Sequence, residues 1–424
     1  MKEKKSDIKM KKPEILSPAG NIEKLKFAFA YGADAVYAAG KNFSLRNFSG
    51  NFDDKGLKEA VEYTHSINKK IYITVNIFPH NRDLEGIKEH LKFLNTIKPD
   101  GLIISDLGIF AMAKKEAPGI PLHISVQSNN LNYMEVNEWY NLGAKRIVLA
   151  RELSFEEIKE IREKCPKMEL EVFVHGAICM SYSGRCMLSD YMTGRGANQG
   201  ECAQSCRWSY ELTEEKRPGE RMPVKEDERG TYIFNSKDLK TINHIQEFIK
   251  IGIDSFKIEG RMKSLHYAAV TAAVYNKASE NFIKNPGGYL PDPKLDAELN
   301  NISHREYTAG FYFGKKGDIQ QSFKSSDYMS DSIYMGHINA VQDNNTYKIL
   351  AKNTIKIGDK IEIFTPAARS IEAAVLSIKE IDGTEITHTK GEREYYIKFE
   401  MKETADTFSI IRKNTDDNKK LLEL

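Results

Sequence analysis

The apolar positions of the chain fall into short runs separated by amphipathic segments, and this alternation occurs eight times after Pro13. The runs are rich in Ile, Val, Leu and Tyr and span 14–20, 35–40, 71–78, 101–108, 122–129, 146–152, 170–177 and 255–261. Near-continuous apolar runs of this length indicate strands that are covered on both faces. Eight strand–helix repeats predict an α/β fold, a (β/α)8 TIM-like barrel. The alternative is an open doubly wound sheet, but no glycine-rich phosphate loop follows the first run.

The segments between the runs carry helix signals. Ile87, Leu91 and Leu94 follow the spacing of one helix face, as do the apolar residues of 22–29. Ser154, followed three residues later by Glu157, is a capping-box pattern that predicts a helix start.

Changes in pattern divide the chain. Residues 1–12 form a charged tail, and 13–285 form the predicted barrel. An insertion at 178–235 follows the seventh strand, and its length is typical of functional loops. The segment "SKDLKTINHIQEFIKIG" after it is predicted to be the next helix. A helical and linker segment covers 286–333, and short strands between turn signals predict a small β-barrel domain over 334–424.

Composition narrows the class of protein. The chain is 41% apolar and 29% charged, and its net charge of +2 gives no compositional case for a nucleic-acid or membrane partner. The opening "MKEKKSDIKMKK" lacks the apolar run of a signal peptide, and no stretch has the length of a membrane span. We therefore expect a cytoplasmic protein, in which cysteines stay reduced.

Four of the five cysteines lie within the insertion, at Cys179, Cys186, Cys202 and Cys206. In a reducing compartment such a cluster indicates metal or redox chemistry rather than disulfides. Four thiolates can close the shell of a zinc ion or of an iron–sulfur cluster, and the spacing alone does not separate the two. The alternative is a set of inert thiols. Cys165, outside the insertion, is expected to be a small buried hydrophobe.

Polar residues occur where the strands of the predicted barrel end, the end at which such barrels carry their active sites. They are Asn76, Asp106, Gln127, Arg151, Glu152, His175, Lys257, Glu259 and Arg261. Lys257, Glu259 and Arg261 alternate along one run, so they are expected to face one side. The alternative for these three is an internal salt-bridge ladder, and for His175 a hydrogen bond to a backbone carbonyl. A shared cavity with the cysteines favours an enzyme.

Several long motifs resemble those of the collagenase-like peptidase family of unassigned mechanism. They are "EILSPAG", "GADAVYAAG", "HGAICMSYSGRCMLSDYMTGR", "GECAQSCRW" and "SFKIEGRMKS". The motifs agree in order, and within the family they are most similar to the branch of tRNA 5-hydroxyuridine synthesis proteins. The resemblance runs from about Pro13 into the C-terminal β domain.

The resemblance implies oxygen-independent, prephenate-dependent hydroxylation of the wobble uridine of tRNA. It also implies a 4Fe-4S cluster on Cys179, Cys186, Cys202 and Cys206, although other branches take one ligand from elsewhere. Relatives in the family hydroxylate ribosomal RNA or a ubiquinone precursor. Whether the chain acts alone or with a homologous partner protein stays open.

Position, rather than motif, suggests roles for individual residues. A wobble base is unpaired and can stack on aromatic rings, for which Tyr182, Tyr191 and Trp208 are candidates unless they pack against the barrel. Prephenate is a dianion that needs cationic partners; the candidates are Arg46, Arg151, Arg185 and Arg261. Glu259 or His175 is a candidate for proton transfer at the uracil ring, and Lys257 is a third catalytic candidate.

Two other functions compete with RNA modification. The family name suggests a peptidase, but the chain contains no H-E-x-x-H or G-x-S-x-G motif. A cysteine peptidase would need a thiolate paired with His175. The other reading is a non-catalytic RNA-binding or assembly subunit with a structural metal centre.

Overall fold

The computed structural model describes residues 10–45, 50–179, 181–182, 185–208, 226–227, 230–231, 237–314, 328–343 and 345–415. The strands up to residue 308 are β1 Glu14–Pro18, β2 Ala35–Ala38, β3 Lys70–Val75, β4 Gly101–Ile104, β5 Leu122–Ile124, β6 Arg146–Val148, β7 Glu169–Ala177, β8 Glu226–Asp227, β9 Gly230–Thr231, β10 Asp238–Lys240, β11 Ser255–Ile258 and β12 Tyr307–Thr308. Strands β1 to β7 pair in parallel in chain order, and β11 pairs in parallel with both β7 and β1. This closes an eight-stranded parallel barrel, so the predicted fold is confirmed.

Helices surround the barrel. They are α1 Ile22–Ala30, α2 Asp54–Ser66, α3 Leu84–Ile97, α4 Leu107–Glu116, α5 Tyr133–Leu142, α6 Phe155–Lys164, α7 Leu188–Thr193, α8 Ile245–Lys250, α9 Leu265–Lys284, α10 Pro293–Glu298 and α11 Gly310–Phe313. The predicted capping box is present, since Ser154 and Glu157 each accept a hydrogen bond from the other's backbone amide. Ile87, Leu91 and Leu94 of α3 are fully buried, as their spacing predicts. No helix of the described ranges is long and apolar enough to cross a membrane.

Except for β7, the strands of the first barrel are shorter than the apolar runs that predicted them. The last run covers 255–261, whereas β11 ends at Ile258. Its remaining residues form a turn at the carboxyl end of the barrel, where their side chains are no longer constrained by the sheet. Apart from His175 in β7 and Lys257 in β11, the polar ends of the runs are therefore loop residues at the carboxyl end of the barrel.

The region after the insertion departs from the prediction. The expected helix over "SKDLKTINHIQEFIKIG" begins only at Ile245, while Asp238–Lys240 forms the strand β10. This strand pairs antiparallel with the end of β7, with Leu239 opposite Gly176. Because β7 extends beyond the barrel, its free edge needs a hydrogen-bonding partner, and β10 supplies one. Three residues are too short to show a strand period in the sequence.

The C-terminal strands form a second barrel. They are β13 Ser332–Asp343, β14 Thr346–Ala351, β15 Lys360–Phe364, β16 Ser370–Lys379, β17 Glu385–Ile386, β18 Arg393–Met401 and β19 Ile410–Asn414. Six of them close in the order β15-β19-β13-β14-β18-β16, all antiparallel, and β17 forms a hairpin with β16. The predicted β-barrel is confirmed. It has its own core, but Phe364 and Ile410 pack into the core of the first barrel.

Candidate functional site

One cavity of about 610 Å³ opens at the carboxyl end of the first barrel. Strand-end residues Thr74, Asn76, Ser125 and Gln127 line it from one side. Their polar groups contact one another: the Asn76 amide donates to Ser125 Oγ at 3.2 Å and to Gln127 Oε1 at 3.1 Å. Asp106, also expected here, instead caps α4 by accepting a hydrogen bond from the Ile109 amide. The strand ends therefore build a polar wall.

The four cysteines of the insertion all line this cavity: Cys179, Cys186, Cys202 and Cys206. No disulfide joins any of the five cysteines of the chain, all of which are described. Cys165 is buried at the end of α6, where its thiol contacts the Tyr133 carbonyl oxygen at 3.4 Å. The predicted separation between one buried thiol and four clustered thiols is present.

The four cavity cysteines fit a sulfur-bound metal centre, because thiolates are the ligands of zinc and of iron–sulfur clusters. The side chains are not drawn together as a finished binding group. Within the described ranges, no three or more His, Cys, Asp or Glu side chains are arranged to hold a metal ion. The fold thus places four thiols on one cavity without closing a coordination shell.

The insertion that carries these cysteines is anchored by two polar side chains. The Ser189 hydroxyl donates to the Arg195 carbonyl oxygen at 2.7 Å and accepts from the Ala203 amide at 2.9 Å. Asn198 donates from its side-chain amide to the Cys186 carbonyl oxygen at 3.0 Å. The backbone carbonyl oxygen of Asn198 accepts a hydrogen bond from the Phe78 amide at 3.0 Å, which ties the insertion to the loop after β3.

Positive charge dominates the cavity. The cations among its described lining residues are Arg151, Arg195, Lys257, Arg261 and Lys263. Glu259 is the one carboxylate among those described lining residues. A pocket with this excess of cations favours an anionic ligand, since buried walls weaken solvent screening.

Arg151 is the cation best placed for a ligand. Its guanidinium lies over the Phe173 ring, 3.9 Å from the centroid, and Nη1 donates to the Ala177 carbonyl oxygen at 2.7 Å. Among the residues that the structure describes, its buried Nε has no hydrogen-bond partner. Because an unsatisfied buried donor is unfavourable, this group is suited to receive an acceptor.

The other predicted charged residues are more constrained. Lys257 Nζ lies 2.8 Å from Glu171 Oε1 inside the barrel. An internal salt bridge, the alternative given for the three alternating residues, is therefore present at Lys257. Arg261 donates to Ser44 Oγ at 2.7 Å and also bonds to Asn51. Glu259 lies in the turn after β11 and is partly exposed. As predicted, all three side chains of the alternating run reach one cavity.

A tyrosine and two glycines shape the turn that carries Glu259. Tyr267 is fully buried, and its hydroxyl donates to the Glu259 carbonyl oxygen at 2.8 Å. A Cβ on Gly260 would lie 2.4 Å from the Tyr267 ring, and one on Gly176 would lie 2.3 Å from the Glu259 carbonyl oxygen. Sequence reasoning missed this contact. The available signal was Gly176 inside an apolar strand run, which indicates a close backbone approach.

His175 lies behind the cavity wall rather than on it. The ring is fully buried among Tyr267, Tyr275 and Tyr307, and Nδ1 is 3.4 Å from the Tyr275 hydroxyl. Burial lowers the pKa of His175 to about 3, against the opposing charge of Asp238. The ring is therefore neutral at physiological pH and makes no contact with the cavity, a placement that does not favour a role in proton transfer.

Of the remaining candidates, one lines the cavity. Tyr182 lines the cavity and is exposed, whereas Tyr191 and Trp208 are exposed outside it rather than packed against the barrel. Arg185 is exposed and lies 5.7 Å from the Phe78 ring centroid, beyond the lining residues. Arg46 lies outside the described residues.

Two family models match the chain. The model described as peptidase family U32 matches residues 20–322, and that described as the peptidase family U32 C-terminal domain matches residues 330–412. Together they span both barrels.

Three curated relatives carry names that refer to RNA. The tRNA hydroxylation protein P of Escherichia coli (strain K12) is 40% identical over 84% of this chain and 87% of its own. The tRNA hydroxylation protein P1 of Bacillus subtilis (strain 168) is 36% identical over 95% of both chains. The 23S rRNA 5-hydroxycytidine C2501 synthase of Escherichia coli (strain K12) is 32% identical over 72% of this chain and 46% of its own.

Proposed function

The chain belongs to peptidase family U32, and from this membership we propose that it is a tRNA-modifying enzyme that hydroxylates the wobble uridine to 5-hydroxyuridine. The names of the relatives from Escherichia coli and Bacillus subtilis support tRNA as the substrate, because their similarity covers both barrels. We place this activity in the cytoplasm, where thiols stay reduced.

The observation that carries the proposal is the meeting of four thiols and an excess of cations on one cavity. A nucleotide in an unpaired loop can leave its stack and enter such a pocket with little loss of pairing energy. The cations suit the phosphate groups next to it and a carboxylate co-substrate. The cavity volume of about 610 Å³ is that of a small-molecule site.

The cofactor that we propose is a 4Fe-4S cluster held by Cys179, Cys186, Cys202 and Cys206, with zinc as the alternative. When bound, such a cluster supplies one-electron chemistry that amino-acid side chains lack. The anchored insertion holds its cysteines beside the barrel end, so the cluster and the reacting base would share one space.

Converting the C5–H bond of uracil to C5–OH adds an oxygen atom and removes two electrons, so a co-substrate is required. Prephenate, implied by the family resemblance, is the co-substrate that we propose. Arg151 is the first candidate to bind its carboxylates, followed by Arg261. Arg185, which is exposed on the insertion, and Arg46, which lies outside the described residues, are further candidates. We propose that Tyr182 stacks on the base and that Glu259 moves a proton at the ring; both residues line the cavity. Lys257, paired with Glu171, is suited to adding positive charge to the cavity.

A peptidase activity is the second candidate function, on the ground of the family name. It would need an activated nucleophile or a metal-bound water. His175 contacts tyrosines behind the wall instead of a cavity thiol. The relative that modifies rRNA favours another RNA, rather than a peptide, as the alternative substrate. A quinone precursor would also fit a small cavity.

Nucleoside analysis tests the proposal. In a strain that lacks the gene, mass spectrometry of digested tRNA should show no 5-hydroxyuridine or its derivatives, and the intact gene should restore them. We expect each of Cys179→Ser, Cys186→Ser, Cys202→Ser and Cys206→Ser to fail to restore the modification. Cys165→Ser is the matched control, because this thiol is buried away from the cavity, and it should restore it.

The anaerobically purified protein provides a second readout. We expect brown protein with iron and sulfide in equal amounts, lost in the four cavity variants and kept in Cys165→Ser. Zinc in colourless protein would contradict the iron–sulfur assignment. Full modification by all four cavity variants would contradict the catalytic role of the cysteines.

A further inference from the structure

Large exposed side chains cluster on the insertion just outside the cavity. Met187, Tyr191 and Trp208 are 76%, 87% and 44% exposed. Tyr191 lies on α7, which packs against the turn Ser205–Arg207 that precedes Trp208. Exposed apolar surface that is concentrated in one place marks an interaction site rather than ordinary surface. We call these three residues the aromatic platform.

Hydrogen bonds fix the backbone that carries the platform. Ser189, on the same helix as Tyr191, is buried and joins α7 to the segment around Arg195 and Ala203 through the two hydrogen bonds described above. The contact of Asn198 with Phe78 ties that segment to the barrel. A backbone that is fixed before binding loses little conformational freedom when a ligand stacks on the side chains that it carries, so these hydrogen bonds favour recognition by the platform.

The charges near the platform separate it from the cavity. Arg185 is exposed on the insertion outside the cavity lining, but so are Asp190 and Glu201. The platform therefore carries little net charge, whereas the cavity beside it has five cations and one carboxylate among its described lining residues. An aromatic surface next to a cationic pocket matches a partner that offers flat rings and phosphates together. Single-stranded nucleic acid is that partner, because its unpaired bases stack on aromatic side chains.

We propose that Tyr191 and Trp208 stack on unpaired nucleotides that flank the target base, with Met187 packing beside them, while the target itself enters the cavity. This rests on the proposed function, since it takes the substrate to be a tRNA loop. Stacking depends on the faces of the bases and not on their edges, so the platform recognises an unpaired loop rather than one sequence.

Binding measurements with the full chain test the platform. The probes are an RNA stem–loop with an unpaired uridine-containing loop and a fully paired RNA of the same length. Tyr191→Ala and Trp208→Ala should each weaken stem–loop binding roughly five- to a hundredfold. Tyr191→Phe keeps the ring and should bind as the parent does. Tyr140→Ala, on α5 and also an exposed tyrosine, is the control that should change nothing.

Salt dependence identifies the interaction. The slope of log affinity against log salt counts phosphate contacts, so Tyr191→Ala should lower the affinity and leave the slope unchanged. Arg195→Gln, at the cavity, should make the slope less negative. Unchanged stem–loop affinity in both alanine variants would overturn the proposal. So would an equal loss of affinity for paired RNA, or loss of a cross-linked protein partner with RNA binding intact.

The platform and the proposed function can fail separately. If the platform variants bind RNA normally while the parent still makes 5-hydroxyuridine, only the platform is wrong. If the parent makes none in tRNA, the proposed function is wrong whatever the variants do to binding.

Discussion

Glu171 shows how a single residue can hold the interior of the first barrel together. Its buried carboxylate lies 2.8 Å from Lys257 Nζ and 3.1 Å from Arg146 Nη1. Arg146 also pairs with Glu14 at 2.6 Å. Burial opposes ionisation, but the two cations outweigh it and hold the pKa of Glu171 below its usual value of 4.5. This network of ion pairs lies inside the barrel and fixes the position of Lys257.

We expect Glu171→Gln to lower the free energy of unfolding by about 3–5 kcal/mol, because it leaves two buried cations without their shared partner. Since the folded pKa is lowered, the contribution of Glu171 is present above pH 4.5 and is lost as the pH falls through the folded value. The variant should therefore also show a flatter loss of stability below about pH 4.5. Urea unfolding at several pH values measures both effects.

Glu59→Gln is the matched control for this prediction. Glu59 lies on α2 in an exposed pair with Lys55, and pairs of this kind contribute up to about 1 kcal/mol. Equal effects of the two substitutions would show that the buried network does not stabilise the barrel.

At the scale of elements, the end of β7 sets the geometry of the site. Gly176 adopts a φ of +102° and lets β7 approach the turn after β11, where the Tyr267 hydroxyl binds the Glu259 carbonyl oxygen. Three residues after Gly176 the chain reaches Cys179. The same contact therefore positions the start of the cysteine insertion and the turn that bears Glu259.

Gly176→Ala should destabilise the fold by more than its backbone conformation alone predicts. The new Cβ would meet the Glu259 carbonyl oxygen at 2.3 Å, and backbone cannot move aside cheaply. We expect about 1–3 kcal/mol of overpacking cost in addition to the strain of the positive φ. Thermal unfolding of the variant beside Gly119→Ala measures the difference.

Gly119 is a suitable control because its φ is +87° and a Cβ there would meet nothing within 4 Å. It therefore isolates the backbone strain. If the two substitutions lower the free energy of unfolding by the same amount, the close approach at Gly176 is not tight.

At the scale of the whole molecule, the two barrels share a polar and aromatic interface. The Tyr31 hydroxyl donates to the Phe364 carbonyl oxygen at 2.7 Å and accepts from the Ile410 amide at 3.2 Å. Arg412 of the second barrel forms an ion pair with Glu298 of α10. His337 packs edge-on against Phe27 of α1, with ring centroids 4.8 Å apart. These contacts bury groups from both barrels, so unfolding of one should weaken the other.

This interface should make the stability of the protein depend on pH. Burial, together with the smaller effect of the Lys352 charge, lowers the pKa of His337 to about 4, and a hydrogen bond with Asn339 opposes the shift. Glu23 lies 3.5 Å from Nε2, but its carboxylate is 40% exposed, so solvent screens its charge. The Tyr334 hydroxyl contacts Nδ1 at 2.6 Å.

Because the folded pKa is lowered, the unfolded chain binds a proton at His337 more readily between about pH 6.5 and 4. Stability should therefore fall as the pH drops through that window. His337→Asn should show a shallower fall, whatever it does to stability at pH 7. The measurement is urea unfolding at pH 7, 5.5 and 4.5, with His388→Asn, an exposed histidine of the same barrel, as control. An unchanged slope in His337→Asn would assign the pH dependence to other groups.

The period of apolar residues by itself determined the eight-stranded barrel and the second β-barrel, because burial on both faces of parallel strands and alternation in antiparallel strands leave direct traces in the chain. Local hydrogen bonding likewise determined the cap at Ser154, which acts over three residues. The cluster of four cysteines was also visible, because the insertion keeps them close in sequence.

Only the tertiary structure decided which polar residues share the cavity. His175 points into a layer of tyrosines, Asp106 caps a helix and Lys257 pairs with Glu171. Arg195 and Lys263, which do not lie at strand ends, line the cavity instead. The tertiary structure also formed β10 and the contact between Gly176 and Tyr267. These outcomes depend on residues that are distant in the chain, and a local pattern holds no information about a partner that arrives only when the barrel closes.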